Sequence, residues 1–214
     1  MLLLTTLHHT SIERFAEYLF CLEKNIKSGY FHRIIIFDEH CNFMDSIPKD
    51  ERIHIIPIDD RLNYSQLIKY CNGNFADEVC VIANTDIYFD DSLLEIHKVE
   101  LTNKFIVITR LVGENKYQNP GSFDTYIFKP DKTGIISNFY PDIFIGIDGC
   151  DSYLAQKAKE AGLKVYNPCL TIKTHHHHKV NGGNTYVLND GRKYWSFKDY
   201  SASEIKYCTV NDCI

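Results

Sequence analysis

The 214-residue sequence lacks the motifs of several common functional classes. It has no Gly-x-Gly-x-x-Gly fingerprint and no Walker phosphate loop, which argues against dinucleotide and P-loop chemistry. Its eight cysteines form no Cys-x-x-Cys pair, so we expect neither a zinc ribbon nor a dense disulfide scaffold. Several of these cysteines lie in apolar runs, where a free thiol behaves as a small hydrophobic group. We therefore expect a reducing, cytoplasmic setting.

A basic excess and long apolar runs are also missing. Lys and Arg number 23 against 28 Asp and Glu, which gives a formal net charge of −5. Neutralising nucleic-acid phosphates requires clustered basic residues, so we expect no nucleic-acid partner. No apolar run is long enough to span a bilayer, and the apolar start of the chain is too short for a signal peptide. A chain of this length suits one domain better than two.

Strand-like and helix-like segments alternate along the chain. Apolar, β-branched runs at 33–38, 52–58 and 79–83 predict strands, as does the apolar run at 1–7. Ser11 is placed to cap a helix that runs to about residue 26. The alternation predicts an α/β fold, a single Rossmann-like domain with a mostly parallel central sheet and helices on both faces. The other predicted elements are strands at 105–109, 125–128 and 163–166 and helices at 63–71, 91–97 and 151–161.

Polar residues directly follow several predicted strands. Ligands of open parallel sheets bind beyond the carboxyl ends of the strands, so these positions predict a binding site. Such residues are Thr5, Thr6, Asp38, Asp59 and Arg61, and the family resemblance described below implies that they form the nucleotide pocket. Arg61 would reach a phosphate or stack on a base, although a solvated surface arginine fits the same pattern.

A second polar pair follows the buried strand at 79–83. Asn84 and Asp86 are two residues apart in the next loop. An aspartate there can hold Mg²⁺ or Mn²⁺, which prefer oxygen ligands and keep positions open for phosphate oxygens. A plain turn is the competing interpretation, because Asn and Asp favour turns after strands.

Asn84-Thr85-Asp86 resembles the Asp-x-Asp signature of GT-A-fold nucleotide-sugar glycosyltransferases, in an Asn-x-Asp form, and other segments of the chain resemble the same family. The chain is similar to small bacterial and large-virus (chlorella-virus-like) glycosyltransferase domains over roughly residues 3–179. The resemblance implies a nucleotide-binding part at about 1–90, an acceptor and catalytic part at about 91–180 and a tail at 181–214. The resembling segments are 83–87, 123–128, 149–151, 166–169 and 175–178.

The resemblance also implies roles for the residues of these segments. Asp86 would ligate Mn²⁺ or Mg²⁺. Asn84, where an acid is usual in the family, would contact the ribose or the water shell of the ion, and the missing charge would weaken metal affinity. Asp124 would accept hydrogen bonds from hydroxyls of the donor or acceptor. A strand-edge acid without a function is the alternative for Asp124.

Asp151 matches the catalytic carboxylate of inverting family members, and Cys150 stands where a second acid is common. Asp151 would act as a general base, which takes the proton of the acceptor hydroxyl as the oxygen attacks the anomeric carbon. Asp148 is the reserve candidate. The alternative for Asp151 is a helix N-cap, a position that aspartate favours.

Four consecutive histidines, His175–His178, match a His-x-His of the family in the register of His176 and His178. Residues two apart on an extended segment share a side, so both would face the diphosphate. His178 would complete the metal shell and His176 would donate to a phosphate oxygen. An exposed polar loop is the alternative. A four-histidine zinc site is not expected, because consecutive residues cannot all converge on one tetrahedral ion.

The predicted function is therefore transfer of a sugar from a nucleoside-diphosphate sugar to a hydroxyl of a glycan or other acceptor. Family frequency favours a UDP-sugar, and Asp151 favours inversion, although a retaining enzyme would need no such base. A sugar-phosphate nucleotidyltransferase is less favoured, because residues 7–11 lack the Gly-rich basic loop of that class. A non-catalytic carbohydrate-binding module also stays open, since Asn84 and Cys150 replace acids.

Overall fold

A computed structural model describes residues 1–112, 116–117, 122–147, 149–178 and 205–214. The strands are β1 (Leu2–His8), β2 (Arg33–Glu39), β3 (Ile53–Pro57), β4 (Cys80–Ala83), β5 (Ile87–Phe89), β6 (Lys104–Thr109), β7 (Leu111–Val112), β8 (Lys116–Tyr117), β9 (Phe123–Phe128), β10 (Lys164–Tyr166) and β11 (Thr174–His176). The α-helices are α1 (Ile12–Ser28), α2 (Tyr64–Asn74) and α3 (Cys150–Glu160). Short 3₁₀ helices span Met44–Ser46, Asp91–Lys98, Ile135–Asn138 and Val210–Cys213.

A seven-stranded sheet forms the centre of the protein, in the order β10-β6-β9-β4-β1-β2-β3. Strands β1 to β4 pair in parallel, β10 pairs in parallel with β6, and β9 runs antiparallel to both of its neighbours. The predicted mostly parallel α/β sheet is confirmed. The predicted helix at 91–97 is a 3₁₀ helix, and Asp90 begins it by accepting a hydrogen bond from the Ser92 amide at 2.9 Å.

Alternation along the strands gives the sheet two buried faces. In β1, Leu2 and Leu4 pack in one core with α2 and α3, whereas Leu3 and Leu7 pack in a second core with α1. Successive side chains of a strand point to opposite faces, so an apolar strand buried on both sides needs helices above and below it. The predicted helices on both faces are confirmed.

Helix α1 begins and ends where the sequence indicates. The Ser11 hydroxyl accepts a hydrogen bond from the Arg14 amide, and Gly29 follows the helix with a φ of 72°, a conformation that glycine adopts without strain. Phe15 and Leu22 are buried against the sheet. Arg14 lies in the first turn, so the helix directs this cation toward the edge where β1 ends.

The carboxyl ends of β1 to β4 lie at one edge of the sheet because these strands are parallel. The antiparallel strand β9 begins at the same edge, where the Asn84 amide donates to the Asp124 carbonyl at 3.0 Å. The loop after β4 and the start of β9 are therefore neighbours. Residues 5–6, 84–86 and 124, which are far apart in sequence, meet at this edge.

A second, smaller sheet lies at the loop after β4, in the order β5-β11-β7-β8. Strand β11 pairs antiparallel with β5, so that His176 lies opposite Ile87 and His175 opposite Tyr88. This pairing brings the histidine run next to Asp86, the residue before β5. The sequence analysis did not predict this sheet.

The last described segment, residues 205–214, packs beside Asn167, the residue that follows β10. The Cys208 amide donates to the Asn167 carbonyl at 2.9 Å, and Val210 and Cys213 are buried in the core next to α1. Residues 181–204 of the predicted tail lie outside the described residues. All eight cysteines are free, and among the described helices none is long and apolar enough to cross a bilayer.

Candidate active site

Three side chains that can bind a metal ion meet at the edge of the sheet. One carboxylate oxygen of Asp86 and one imidazole nitrogen each of His176 and His178 lie within 4.8 Å of one another. His176 Nε2 is 2.9 Å from Asp86 Oδ2, and His178 Nδ1 is 3.9 Å from the same oxygen. Asp86 is buried and the His176 side chain is only 9% exposed. His176 is therefore not part of an exposed polar loop, and this alternative is wrong for it.

The register of β11 separates the four histidines into two pairs. His176 and His178 face Asp86, whereas the His175 ring stacks on Tyr88 with ring centres 4.8 Å apart. The His177 ring stacks on Phe20 of α1 at 4.1 Å. His175 Nε2 also lies 2.8 Å from Asp90 Oδ2. His175 and His177 therefore lie on the side of the segment away from Asp86 and pack against aromatic rings.

Asp86 also contacts a cation that the sequence analysis did not single out. Arg14 Nη2 lies 2.5 Å from Asp86 Oδ2, and Arg14 Nη1 pairs with Glu17, whose side chain is 5% exposed. Burial disfavours the charged carboxylate, but the hydrogen bond from His176 and the charges of His176 and Arg14 lower the pKa of Asp86 to about 2. Asp86 is therefore ionised at neutral pH, as a metal ligand must be.

A hydrogen-bonded row continues from this loop into the sheet. Asn84 Nδ2 donates to Asp124 Oδ1 at 2.6 Å, and Arg110 Nη1 pairs with Asp124 Oδ2 at 2.6 Å. Asp124 is buried in β9, between β4 and β6, so the interpretation as a strand-edge acid is wrong. Burial raises the pKa of Asp124, and the Arg110 charge opposes the shift. The ion pair with Arg110 and the hydrogen bond from Asn84 fix this carboxyl group in the site.

Asp151 lies beyond this row, at the start of α3. The residue before the helix is Gly149, with a φ of 79°, and Asp151 is the second helical residue. The interpretation of Asp151 as the N-cap is therefore wrong. Its Oδ1 accepts hydrogen bonds from the Tyr126 hydroxyl and the Cys150 thiol, both at 3.2 Å.

The surroundings of Asp151 make it a poor acid and a good proton acceptor. Burial, and then the neighbouring charge of Asp124, raise the pKa of Asp151 to about 7. A carboxylate with a pKa near the working pH is suited to general-base catalysis. The side chain is not fully enclosed, so an acceptor hydroxyl can approach it. Asp148, the reserve candidate, lies outside the described residues.

The predicted nucleotide pocket lies along the ends of β1 to β3. Thr5 Oγ1 is 3.2 Å from Thr85 Oγ1, and the Thr85 hydroxyl donates to the Thr6 carbonyl, so β1 holds the loop that precedes Asp86. Asp38 accepts a hydrogen bond from the Cys41 amide at 2.7 Å. These contacts shape the loops at the carboxyl edge of the sheet.

Arg61 and Asp59 occupy different environments in this region. Arg61 pairs with Glu39 at 3.2 Å and donates to the Ile145 carbonyl at 3.0 Å, and its side chain is 12% exposed. The interpretation as a solvated surface arginine is therefore wrong. Asp59 is exposed. Burial and the nearby charges of Arg61 and Arg14 lower the pKa of His8 to about 4, so His8 is neutral at pH 7.

The donor set fits a divalent metal ion. Imidazole nitrogens bind borderline transition metals, a carboxylate oxygen binds manganese, and three protein ligands leave positions for phosphate oxygens and water. Mg²⁺ fits less well, because it prefers an all-oxygen shell and retains its waters. Asp86, His176 and His178 could therefore hold a divalent transition-metal ion.

Three solved structures have an architecture similar to that of this chain. The chain is similar to the mannosyltransferase PcManGT from Pyrobaculum calidifontis in complex with GDP-Man and Mn²⁺, with a TM-score of 0.59 and 12% identity, over 85% of this chain and 58% of that one. It is similar to GalNAc-T7 with UDP, GalNAc and Mn²⁺, with a TM-score of 0.58 and 13% identity, over 90% of this chain and 46% of that one. It is also similar to S. aureus TarS 1–349 in complex with UDP-GlcNAc, with a TM-score of 0.56 and 8% identity, over 87% of this chain and 61% of that one.

These similarities show that the chain has the GT-A fold. No protein-family model and no curated protein sequence matches the chain. The chain spans between 46% and 61% of the length of the three chains above. The similarity to large-virus domains stays a prediction.

Proposed function

We propose that the protein transfers a sugar from a nucleoside-diphosphate sugar to a hydroxyl group of an acceptor. The observation that supports this most is the meeting of Asp86, His176 and His178 at the carboxyl edge of a GT-A sheet. A half-buried carboxylate with a pKa of about 7, Asp151, lies at the same edge. A cation held by the first three residues would bind the diphosphate leaving group, and Asp151 would accept the proton of the attacking hydroxyl.

Asp86, His176 and His178 would hold a divalent cation, which we propose to be manganese. When bound, such an ion neutralises the charge that develops on the leaving diphosphate, often the largest contribution to catalysis in such transfers. Arg14 supplies a further positive charge beside Asp86. Asp86 and the two histidines thereby determine where the diphosphate lies relative to Asp124 and Asp151.

Asp151 would accept the proton of the acceptor hydroxyl. As the proton moves to an Asp151 carboxylate oxygen, the acceptor oxygen bonds to the anomeric carbon, and the bond from that carbon to the diphosphate oxygen breaks. One displacement inverts the configuration at the anomeric carbon. The Tyr126 hydroxyl and the Cys150 thiol fix the position of the base. Asp124, held by Arg110 and Asn84, would accept hydrogen bonds from sugar hydroxyls.

The finer features are part of the same proposal. We propose a UDP-sugar as donor and a glycan or other hydroxyl compound as acceptor, with the nucleotide bound near Thr5, Thr6, Asp38 and Arg61. We propose a cytoplasmic location, since eight free cysteines suit a reducing compartment. The division into parts at about 1–90 and 91–180 is proposed on the same basis.

The test is a panel of nucleotide sugars, with hydrolysis and transfer measured with Mn²⁺, with Mg²⁺ and with a chelator. We expect one donor to be consumed with Mn²⁺, and little turnover with the chelator. His178→Ala should weaken UDP binding in Mn²⁺ by about 10-fold or more, the loss expected for one charged hydrogen bond or ligand. His177→Ala is the matched control, because this ring stacks on Phe20, and it should change UDP affinity much less.

Three outcomes would contradict the proposal. Equal UDP affinity with metal and with chelator would remove the metal from the function. Equal losses in the two histidine variants would show that the run does not face the diphosphate in the register observed. Release of pyrophosphate from a nucleoside triphosphate and a sugar phosphate would instead identify a nucleotidyltransferase.

A further inference from the structure

A row of alternating charges is buried beside the candidate metal ligands. Arg14 pairs with Glu17 one helical turn later on α1 and with Asp86 across the site, and its Nε donates to the Tyr18 hydroxyl at 3.2 Å. The exposed fractions of the Arg14, Glu17 and Asp86 side chains are 17%, 5% and 8%. Burial opposes the charge of Arg14, but Asp86 raises the pKa of the guanidinium, so it stays charged.

The guanidinium contacts the same oxygen that the histidines face. Asp86 Oδ2 lies 2.5 Å from Arg14 Nη2 and 2.9 Å from His176 Nε2. A divalent cation bound by Asp86 would lie a few ångströms from this guanidinium, and like charges at that distance repel strongly in a buried site. Glu17 offsets part of this repulsion, but Asn84 supplies no further negative charge. The free protein therefore has a poor site for a cation alone.

A diphosphate changes this balance. Its oxygens offer negative charge to both cations, and guanidinium groups bind phosphate oxygens through paired hydrogen bonds. Glu17 and Tyr18 hold the Arg14 side chain at the site from the helix, so releasing Asp86 does not release Arg14 to solvent. Arg14 also lies in the first turn of the helix after β1, near the predicted nucleotide pocket.

We propose that Arg14 is a diphosphate-binding residue that excludes the divalent cation from Asp86 until the nucleotide arrives. This inference rests on the proposed function and adds to it the order in which the cation and the nucleotide bind. The cation enters together with the nucleotide. At that point Arg14 leaves Asp86 and pairs with a phosphate oxygen instead, so that Asp86 is available to the cation.

The test is Arg14→Gln, which keeps a hydrogen-bonding side chain and removes the charge. Mn²⁺ affinity without nucleotide is measured by electron paramagnetic resonance, and UDP and uridine affinities in saturating Mn²⁺ are measured by calorimetry. We expect Mn²⁺ to bind the nucleotide-free variant about 10-fold or more tightly than wild type, and UDP to bind about 10-fold or more weakly. Uridine affinity should not change, because uridine has no phosphate.

A rise in Mn²⁺ affinity together with a fall in UDP affinity distinguishes this role from a structural one, which would change both affinities in the same direction. Lys27→Gln on the same helix is the control and should leave all three affinities unchanged, because Lys27 is exposed and pairs only weakly with Glu23. If Arg14→Gln does not fold by its melting curve, Arg14→Lys is used. That variant keeps the charge but lacks the planar guanidinium that donates to Glu17 and Asp86 from separate nitrogens, so smaller changes of the same signs are expected.

Weaker binding of both Mn²⁺ and UDP, or no change in either, would overturn the role of Arg14. Equal losses for UDP and uridine would also overturn it, since the effect would then not involve the diphosphate. If wild type binds UDP equally well with metal and with chelator, the metal part of the proposed function fails. The comparison of UDP with uridine in Arg14→Gln then still decides whether Arg14 binds the diphosphate.

Discussion

The substitution Asp151→Asn removes the proposed proton acceptor and preserves its shape. Asparagine matches aspartate in size, and its Oδ1 can accept the hydrogen bonds from Tyr126 and Cys150. We expect sugar transfer to fall by at least about 100-fold, the low end of the contribution of a general base. UDP affinity in Mn²⁺ should stay close to that of wild type, because Asp151 acts on the acceptor.

The same substitution should stabilise the fold at about pH 8. Burial and the Asp124 charge raise the pKa of Asp151 from 3.8 to about 7, so the folded protein holds this proton more tightly than the unfolded chain. The stability from this group is complete below about pH 4 and is lost as the pH rises through about 7. The rise of this pKa from 3.8 to about 7 corresponds to on the order of 4 kcal/mol of unfolding free energy, an upper limit because the side chain is partly exposed. Asparagine avoids this loss.

The assay combines three measurements on one preparation: transfer rate, UDP affinity and melting temperature at about pH 5 and pH 8. The melting temperature of Asp151→Asn should exceed that of wild type at the higher pH, by about 2–4 °C per kcal/mol recovered, and by less at the lower pH. Glu160→Gln, at the exposed end of α3, is the control for a change of charge on the same helix. An Asn variant that transfers sugar at the wild-type rate, or that is less stable at pH 8, would refute the reasoning.

Two further predictions follow from the neighbours of these groups. Asp124→Asn should move the acidic limb of the pH–rate profile to lower pH, because the Asp124 charge raises the pKa of Asp151 and Arg110 remains beside it. An unchanged limb, measured from about pH 5 to 9, would show that Asp151 is not the titrating base. Tyr88→Leu removes the ring on which His175 stacks. It should weaken Mn²⁺ binding in the presence of UDP, measured by electron paramagnetic resonance. Unchanged binding would mean that the stack does not position β11.

The fold could be predicted from local patterns. The β-branched runs of β2, β3 and β4 are long enough to show strand character, and Ser11 and Gly162 indicate where helices begin and end. Gly162 adopts a φ of 91° after α3, the left-handed conformation expected of a residue that ends a helix. These features depend on residues near each other in sequence, so the sequence alone contains the information.

The site could be predicted only in part. Asn84, Asp86 and Asp124 directly follow or begin strands, and position relative to a strand is visible in sequence. Arg14 and Arg110 were missed, because their roles depend on contacts with Asp86 and Asp124 that are distant in sequence. The single available signal for Arg14 was a cation in the first turn of the helix that follows β1.

The small sheet was missed for a related reason. Strands β5 and β11 have three residues each, too few to show a period of two. Pairing between them joins residues 87–89 to 174–176 and depends on tertiary contacts. The local preferences of a short segment cannot determine such a pairing, and the histidine register follows from it.

The histidine run has one more consequence, for the fidelity of strand pairing. A shift of one residue normally turns every side chain of a strand to the wrong face. Here a shift of β11 by one residue in one direction would bring His175 and His177 to Asp86, whereas a shift in the other direction would bring His177 and Lys179. The identity of the histidines alone does not determine the register, and contacts of the flanking residues contribute to it: Ile172 and Thr174 are buried, and the Lys173 amide donates to Ser92 Oγ at 2.8 Å. A repeat of one residue type thus tolerates a shift in one direction at a site where other sequences would lose their ligands.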